Sequence, residues 1–186
     1  MLETKMRLPT LLLALAATAC AAIPRASQQA LRTTDPATTD LAALRAAVDM
    51  PDALRPRRST ARLAVQLGSR TGHFALEEDE AASRAAQQDA PPAPGRRIVA
   101  FRLTPAAREE MEDFRRSAAR RMTIGIAADA CRAGPIEAGP LIIGTWLSTA
   151  QTGRFVALAQ FDLRRLAGEA AIAALPSCVP PGTDPA

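Results

Sequence analysis

Large aromatic side chains are nearly absent from this 186-residue chain, and their scarcity constrains the fold more than any other feature. One Trp, five Phe and no Tyr make up 3% of the residues, although 48% of the residues are hydrophobic. Much of that hydrophobic content is Ala, so the core must be built from small aliphatic side chains. The chain is long enough to bury such a core as one modest domain, without help from a metal.

The first twenty residues form a segment of their own. Lys5 and Arg7 precede an apolar run over residues 8–19, which ends in small residues before Cys20. A basic start, a short apolar stretch and small residues at its end are typical of a secretory signal peptide. The segment resembles the signal of bacterial lipoproteins, in which the cysteine after the small residues is lipidated and becomes the new N-terminus. The resemblance implies that residues 1–19 are removed and that Cys20 carries lipid.

Two alternatives to lipidation stay open. Ala17-Thr18-Ala19 also fits an ordinary secretory cleavage site, which would release a soluble protein. Retention as a membrane helix is the weaker alternative, because the apolar run is shorter than the roughly 20 residues that span a bilayer. In the lipoproteins that the segment resembles, Asp after the cysteine holds the protein at the inner membrane, whereas Ala21 stands here. We therefore expect an exported, periplasm-facing protein, anchored by lipid to the outer membrane rather than the inner one.

The chain has three cysteines, Cys20, Cys131 and Cys178. If Cys20 is lipidated, two remain in a chain bound for an oxidising compartment, which predicts a Cys131–Cys178 disulfide. Two buried free thiols are the alternative. The sequence contains no Cys-x-x-Cys and a single histidine, so a catalytic thiol is not expected.

Hydrophobic periodicity and turn residues predict an α+β, two-layer domain. Its mostly antiparallel sheet would have about five to six strands, with two or three helices on one face. The predicted strands cover residues 62–67, 73–76, 97–103, 122–128, 141–149 and 154–161. The predicted helices cover residues 41–48, a segment that Thr104 and Pro105 open, and residues 163–175, with Leu166, Ala170 and Ala173 facing the core. Residues 81–88 fit one or two further helical turns.

The same patterns divide the chain into segments. Residues 1–19 are the predicted signal peptide, residues 20–38 a lipid-anchored tether and residues 39–178 the single domain. Residues 179–186 hold three prolines and are expected to form a loose tail. Within the domain, acidic and proline-rich residues near 77–95 are interpreted as an excursion from the sheet.

Four features are candidate sites. His73 is interpreted as a surface histidine, because no catalytic partner accompanies it. The acidic residues 77–80 lack the spacing of a calcium loop and are interpreted as a solvated loop. Trp146 is expected in the core. Four arginines late in the helix that follows Thr104 are either an anion site or a solvated helix end that complements the helix dipole. They are Arg115, Arg116, Arg120 and Arg121.

Motifs with recognisable chemistry are missing from the sequence. Gly-rich phosphate loops, zinc motifs and Gly-x-Ser-x-Gly elbows do not occur, so neither a cofactor nor a metal is expected. A net charge of +4 with few stacking aromatics does not indicate nucleic-acid binding.

The leading hypothesis is a non-catalytic accessory lipoprotein of the cell envelope. Its partners would be the membrane, through the lipid anchor, and possibly another envelope protein. One alternative is an exported module that binds an anion or another small ligand, and a second is an enzyme with a carboxylate-based site that spacing does not reveal. A deep pocket with converging polar groups would favour an alternative, and an exposed apolar patch would favour a partner surface.

Overall fold

Nine strands and four helices form the part of the chain that a computed structural model describes, residues 38–116 and 122–178 with Ser27 and Asp35. The strands are β1 (Arg45–Pro51), β2 (Leu54–Pro56), β3 (Arg62–Leu67), β4 (Arg70–Glu78), β5 (Arg96–Leu103), β6 (Met122–Ala127), β7 (Ala130–Arg132), β8 (Ile142–Ser148) and β9 (Val156–Asp162). The helices are α1 (Glu80–Asp89), α2 (Pro105–Arg115), α3 (Leu163–Ala167) and α4 (Glu169–Ala173), and Arg58–Thr60 forms a 3-10 turn.

Seven of the strands form one curled sheet in the order β6-β3-β4-β5-β1-β8-β9. Every neighbouring pair in it is antiparallel. The remaining two strands, β2 and β7, pair with each other as a separate antiparallel ribbon. The predicted α+β class with an antiparallel sheet is thus confirmed, but the sheet is larger than the predicted five to six strands.

The additional strand is β1, where the sequence predicted a helix over residues 41–48. That prediction is wrong, because Arg45–Pro51 lies at the centre of the sheet between β5 and β8. A central strand is covered on both faces, so its apolar residues run together instead of alternating with polar ones. Ala46 and Val48 pack into one hydrophobic cluster while Ala47, between them, packs into another. The apolar residues whose spacing suggested a helix are Leu41, Leu44 and Val48; all three pack in the larger cluster, but the first two precede β1.

Hydrophobic clusters lie on both faces of the sheet. Phe101 and Leu103 of β5 face the larger cluster, which also contains Met111 of α2. Ile98 and Ala100 of β5 point to the opposite face and join the smaller cluster, where α1 contributes Ala82 and Ala86. Helices therefore cover both faces, and the prediction of helices on one face is wrong. Alanines on α1 allow it to lie close to the sheet.

Residues 77–95 connect β4 to β5: the first two end β4, residues 80–89 form α1, and residues 90–95 lead into β5. Glu77 and Glu78 are the last residues of β4, and the Asp79 side chain accepts a hydrogen bond from Ala82 N at the start of α1. Such a cap satisfies one of the unpaired N–H groups of the first helical turn. The Asp79 backbone N–H also donates to Ala100 O at 2.8 Å, which fixes the start of α1 against β5. The proline-rich part that follows α1 is a loop of residues 90–95.

The predicted last helix, residues 163–175, is two short helices, α3 and α4. Gly168 separates them with a φ of +83°, a backbone conformation that residues other than glycine rarely adopt. The break turns the predicted core face outward. Leu166, Ala170 and Ala173 are exposed, and Ile172 is the buried residue of α4.

The predicted signal peptide, Cys20 and the predicted tail lie outside the described residues. Of the predicted tether, Ser27 is buried, and the carbonyl of Asp35 accepts hydrogen bonds from the backbone N–H and the hydroxyl of Thr39 at 2.9 and 2.8 Å. Among the described helices, none has the length and apolar character needed to span a membrane.

Candidate functional site

A disulfide joins Cys131 of β7 to Cys178, with their Cα atoms 4.9 Å apart, as the cysteine count predicted. The segment that carries Cys178 runs beside β7. Arg132 N donates to Pro176 O at 2.7 Å, and Cys178 N donates to Arg132 O at 2.9 Å. The bond therefore attaches the end of the domain to the two-stranded ribbon and not to the main sheet.

A cleft of about 1210 Å³ opens between this ribbon, the ends of β4 and β5, and α4. Its position follows from the residue pattern of β5. On one face of β5, every second side chain packs in the larger cluster, namely Leu103, Phe101 and Val99. Because side chains alternate along a strand, Arg97 is next on the same face. The hydrophobic core therefore gives way to charge at this residue, and the cleft begins there.

Arginine dominates the charged residues of the cleft. Two glutamates, Glu78 and Glu169, line it together with six arginines. The arginines are Arg55, Arg57, Arg58, Arg97, Arg132 and Arg164. They come from the ribbon, the 3-10 turn, β5 and α3, so the fold brings together residues from four parts of the sequence.

Each glutamate of the cleft pairs with one of these arginines. Glu78 accepts from Arg58 and Glu169 accepts from Arg164. Arg97 pairs with Asp52 at 2.8 Å. Arg57 and Arg132 are exposed, and neither forms an ion pair with a carboxylate in the described part of the chain.

Arg55 is held in place by main-chain oxygens. Its Nη1 donates to Asp52 O and to Leu54 O, both at 2.8 Å. Burial lowers the pKa of Arg55 from its usual value, the charge of Arg97 lowers it further, and the carboxylate of Asp52 opposes both effects. Arg55 remains protonated, because a guanidinium group does not lose its proton in proteins. Its lowered pKa reflects burial first and the neighbouring charge of Arg97 second.

Aliphatic side chains form another part of the cleft surface, beside prolines and the disulfide. Val99, Ile136 and Ile172 line it, with Ala133 and Ala173 beside them. Val99 and Ile136 are half-buried against the larger core cluster, so the cleft reaches the edge of the hydrophobic core. None of the described residues that line the cleft is aromatic. The site combines guanidinium groups with a small aliphatic surface.

Two of the four arginines predicted from the sequence as an anion site, Arg115 and Arg116, lie away from the cleft, at the end of α2. Arg115 donates to both carboxylate oxygens of Glu112 and to Thr39 O, and Arg116 pairs with Asp113. Acidic residues of the same helix thus compensate the two described charges. Arg120 and Arg121 lie outside the described residues, and an anion site at this helix end stays a prediction.

The acidic residues 77–80 are not a solvated loop. Glu77, Glu78 and Asp79 each pair with a different arginine, namely Arg102, Arg58 and Arg45. Their charges therefore link β4 to neighbouring elements. No group of three or more potential metal ligands occurs among the described residues.

His73 and Trp146 lie away from the cleft. His73 is exposed on β4, in agreement with the interpretation as a surface residue. Trp146 of β8 is half-buried and packs against the smaller cluster, so it is only partly a core residue.

Sequence reasoning missed the cleft, although part of it was visible. Arg55-Pro56-Arg57-Arg58 is a local run of positive charge that contributes three of the six arginines. Arginine is common throughout the chain, so this run did not stand out. Arg97, Arg132 and Arg164 join it only through the tertiary fold.

Comparison with known proteins finds no matching family model, curated protein or solved structure for this chain. The class of this protein is therefore described from its fold and its cleft alone. It is an α+β domain with a curled antiparallel sheet and a cleft lined by arginine.

Proposed function

We propose that this protein is an anion-binding module of the bacterial cell envelope, with the arginine-lined cleft as its binding site. The observation that carries the proposal is the cleft lining, in which six arginines accompany two glutamates. A guanidinium group presents a rigid fork of donors that matches the oxygens of a carboxylate or phosphate. An excess of such groups in one concave site favours a negatively charged ligand.

The electrostatics of the cleft support this proposal. Burial lowers the pKa of Arg55, and the nearby charge of Arg97 lowers it further. The Nε–H of Arg164 is buried and has no hydrogen-bond partner in the described part of the chain. Crowded charges and unsatisfied buried donors both cost free energy. An anion in the cleft would offset the charge repulsion.

The envelope location in this proposal rests on residues 1–20, which resemble a lipoprotein signal. A lipid on Cys20 would hold the cleft near the outer membrane, facing the periplasm. The Cys131–Cys178 disulfide supports an oxidising compartment, because such bonds are rare in the cytosol.

Action through protein contacts, the leading hypothesis from the sequence, stays a prediction. Nothing about the cleft depends on it. A partner surface is usually marked by an exposed apolar patch. Leu166, 47% exposed, is the single large hydrophobic residue that is exposed in the described part of the chain. For a carboxylate-based enzyme, the cleft offers Glu78 and Glu169, and each is paired with an arginine. Anion binding is therefore the function that the geometry supports best.

The test is calorimetric titration of the full-length protein with inorganic phosphate. We expect saturable binding at one site, weakened at least tenfold by the double substitution Arg57→Ala and Arg132→Ala. Each charge-assisted hydrogen bond contributes about 1.5–3 kcal/mol, less where the group is exposed, and about 1.4 kcal/mol corresponds to tenfold. Neither arginine forms an ion pair in the described residues, so the substitutions leave no described carboxylate without its partner.

Two variants serve as controls. Arg154→Ala removes an exposed arginine outside the cleft, and we expect unchanged binding. Arg116→Ala with Arg120→Ala tests the end of α2. If this second pair abolishes phosphate binding while the cleft pair leaves it intact, the site has been misplaced. If the native protein binds no phosphate at all, the proposed function is wrong.

A further inference from the structure

The aliphatic surface beside the arginines bears on the chemistry of the ligand. Val99, Ile136 and Ile172 line the same cleft as the six arginines. A site for a small inorganic anion alone would need donors on all sides and no apolar wall. Water against aliphatic side chains is displaced favourably by another apolar group, so this wall favours a ligand with an apolar part.

The size of the cleft leads to the same conclusion. Ligand pockets for small organic molecules have volumes of roughly 300–1,000 Å³, and this open cleft of about 1210 Å³ exceeds what a single phosphate ion would fill. The lack of aromatic residues among those lining it also restricts the ligand. Aromatic rings in a ligand are commonly bound by stacking on aromatic side chains, whereas small branched side chains suit an aliphatic chain.

We infer that the cleft binds an amphiphilic anion, a phosphate or carboxylate that carries an aliphatic chain. This inference rests on the proposed function and adds the apolar half of the ligand. The acidic head would lie among the cleft arginines, which include Arg55 and Arg132 of the ribbon and Arg57 just after β2. The chain would lie against Val99 and Ile136. Such a molecule is either a free small amphiphile or the headgroup region of an anionic membrane lipid, and both share this chemistry.

The experiment compares inorganic phosphate with butyl, hexyl and octyl phosphate, each titrated below its self-association concentration into the full chain carrying Cys20→Ser. Each buried methylene raises affinity by up to about fourfold. Because the cleft is open on one side, we expect at least a tenfold gain from butyl to octyl phosphate. Octyl glucoside, which has the same chain and no charge, should bind much more weakly than octyl phosphate.

Substitutions separate the two halves of the ligand. Val99→Thr keeps the shape of the side chain and its preference for strand but replaces a methyl group with a hydroxyl group, so it should reduce the chain-length dependence and leave phosphate affinity unchanged. Ile136 lies outside the named strands and helices, so Ile136→Thr makes the same test if Val99→Thr folds poorly. Leu166→Gln removes the exposed leucine outside the cleft and should change nothing.

The outcomes distinguish this inference from the function on which it rests. Phosphate binding without any dependence on chain length would overturn the amphiphilic ligand and leave the anion site in place. Equal binding of octyl glucoside would overturn the role of the charged head. Absence of binding for every phosphate would overturn both proposals.

The two sources of ligand are separated with vesicles. Phosphatidylglycerol vesicles that sediment the Cys20→Ser protein, and release it when octyl phosphate is added, would identify a membrane lipid. Octyl phosphate binding with no vesicle binding would identify a free amphiphile, and either result supports the inference.

Discussion

Breaking the Cys131–Cys178 disulfide should destabilise the domain by about 4 kcal/mol. The two cysteines are 47 residues apart, and a crosslink that closes a loop of this length removes about that much conformational free energy from the unfolded chain. Cys131 is 7% exposed in the native state, so Ala at this position preserves its small, buried character. The variant is therefore Cys131→Ala with Cys178→Ala.

Urea unfolding followed by tryptophan fluorescence measures this effect. Trp146 is the only tryptophan of the chain and lies on β8 of the main sheet, whereas the disulfide lies on the ribbon. Its signal therefore reports unfolding of the sheet and not a local change at the bond. With a urea m-value of roughly 2 kcal/mol/M, a loss of about 4 kcal/mol lowers the midpoint by about 2 M.

Reduction supplies the matched control. Dithiothreitol should lower the midpoint of the native protein by a similar amount and should leave the double variant unchanged. A native midpoint that does not move on reduction, in a protein shown by thiol titration to be fully reduced, would refute the loop-closure reasoning. A change in the m-value would instead show that the unfolded state itself had expanded.

Three further predictions concern other parts of the molecule. Burial alone raises the pKa of Asp79, but hydrogen bonding from Ala82 and the charge of Arg45 outweigh it, so its folded pKa lies below the usual value. Its stabilisation is thus complete above the unfolded pKa of about 3.9 and is lost as pH falls through the folded pKa. Asp79→Asn, which keeps a capping oxygen, should cost about 1 kcal/mol at pH 7, and this cost should shrink as the pH falls through the folded pKa of Asp79, as urea midpoints will show. A Cβ on Gly72 would lie 2.7 Å from the Phe74 ring, so Gly72→Ala should cost about 1–3 kcal/mol in urea unfolding, whereas Gly125→Ala, with open space around it, should not. Cys20→Ser should move the protein out of the membrane fraction or leave it unprocessed, and unchanged processing and fractionation would refute lipidation.

Local patterns predicted the elements whose signals lie within a few residues. The alternation of Leu63, Val65 and Leu67 gave β3 its correct bounds, because only one side of that strand carries the buried residues. Thr104 and Pro105 placed the start of α2, and the Thr104 side chain indeed accepts from Ala107 N. Caps and single-face alternation depend on nearby atoms, so they can be inferred from short stretches of sequence.

Local sequence patterns did not predict β1, because this strand is buried on both faces and pairs with residues far away in the sequence. Asp49 of this strand pairs with Arg96 of β5 at 3.0 Å, and Arg96 also donates to Ile142 O beside them. These partners lie 46 and 47 residues from Arg96 along the chain. Helix propensity is a weak preference that such tertiary pairing overrides.

The sequence by itself determined the chemical inventory of this protein: a core of small aliphatic residues, one expected disulfide, the cap of α2 and the resemblance of residues 1–20 to a lipoprotein signal. Only the tertiary structure decided that helices cover both faces of the sheet and that arginines from four separate segments meet in one cleft. The physical reason is distance along the chain. Capping and periodicity act over a few residues, whereas the cleft depends on how far the sheet curls and on where the disulfide holds the last residues of the domain.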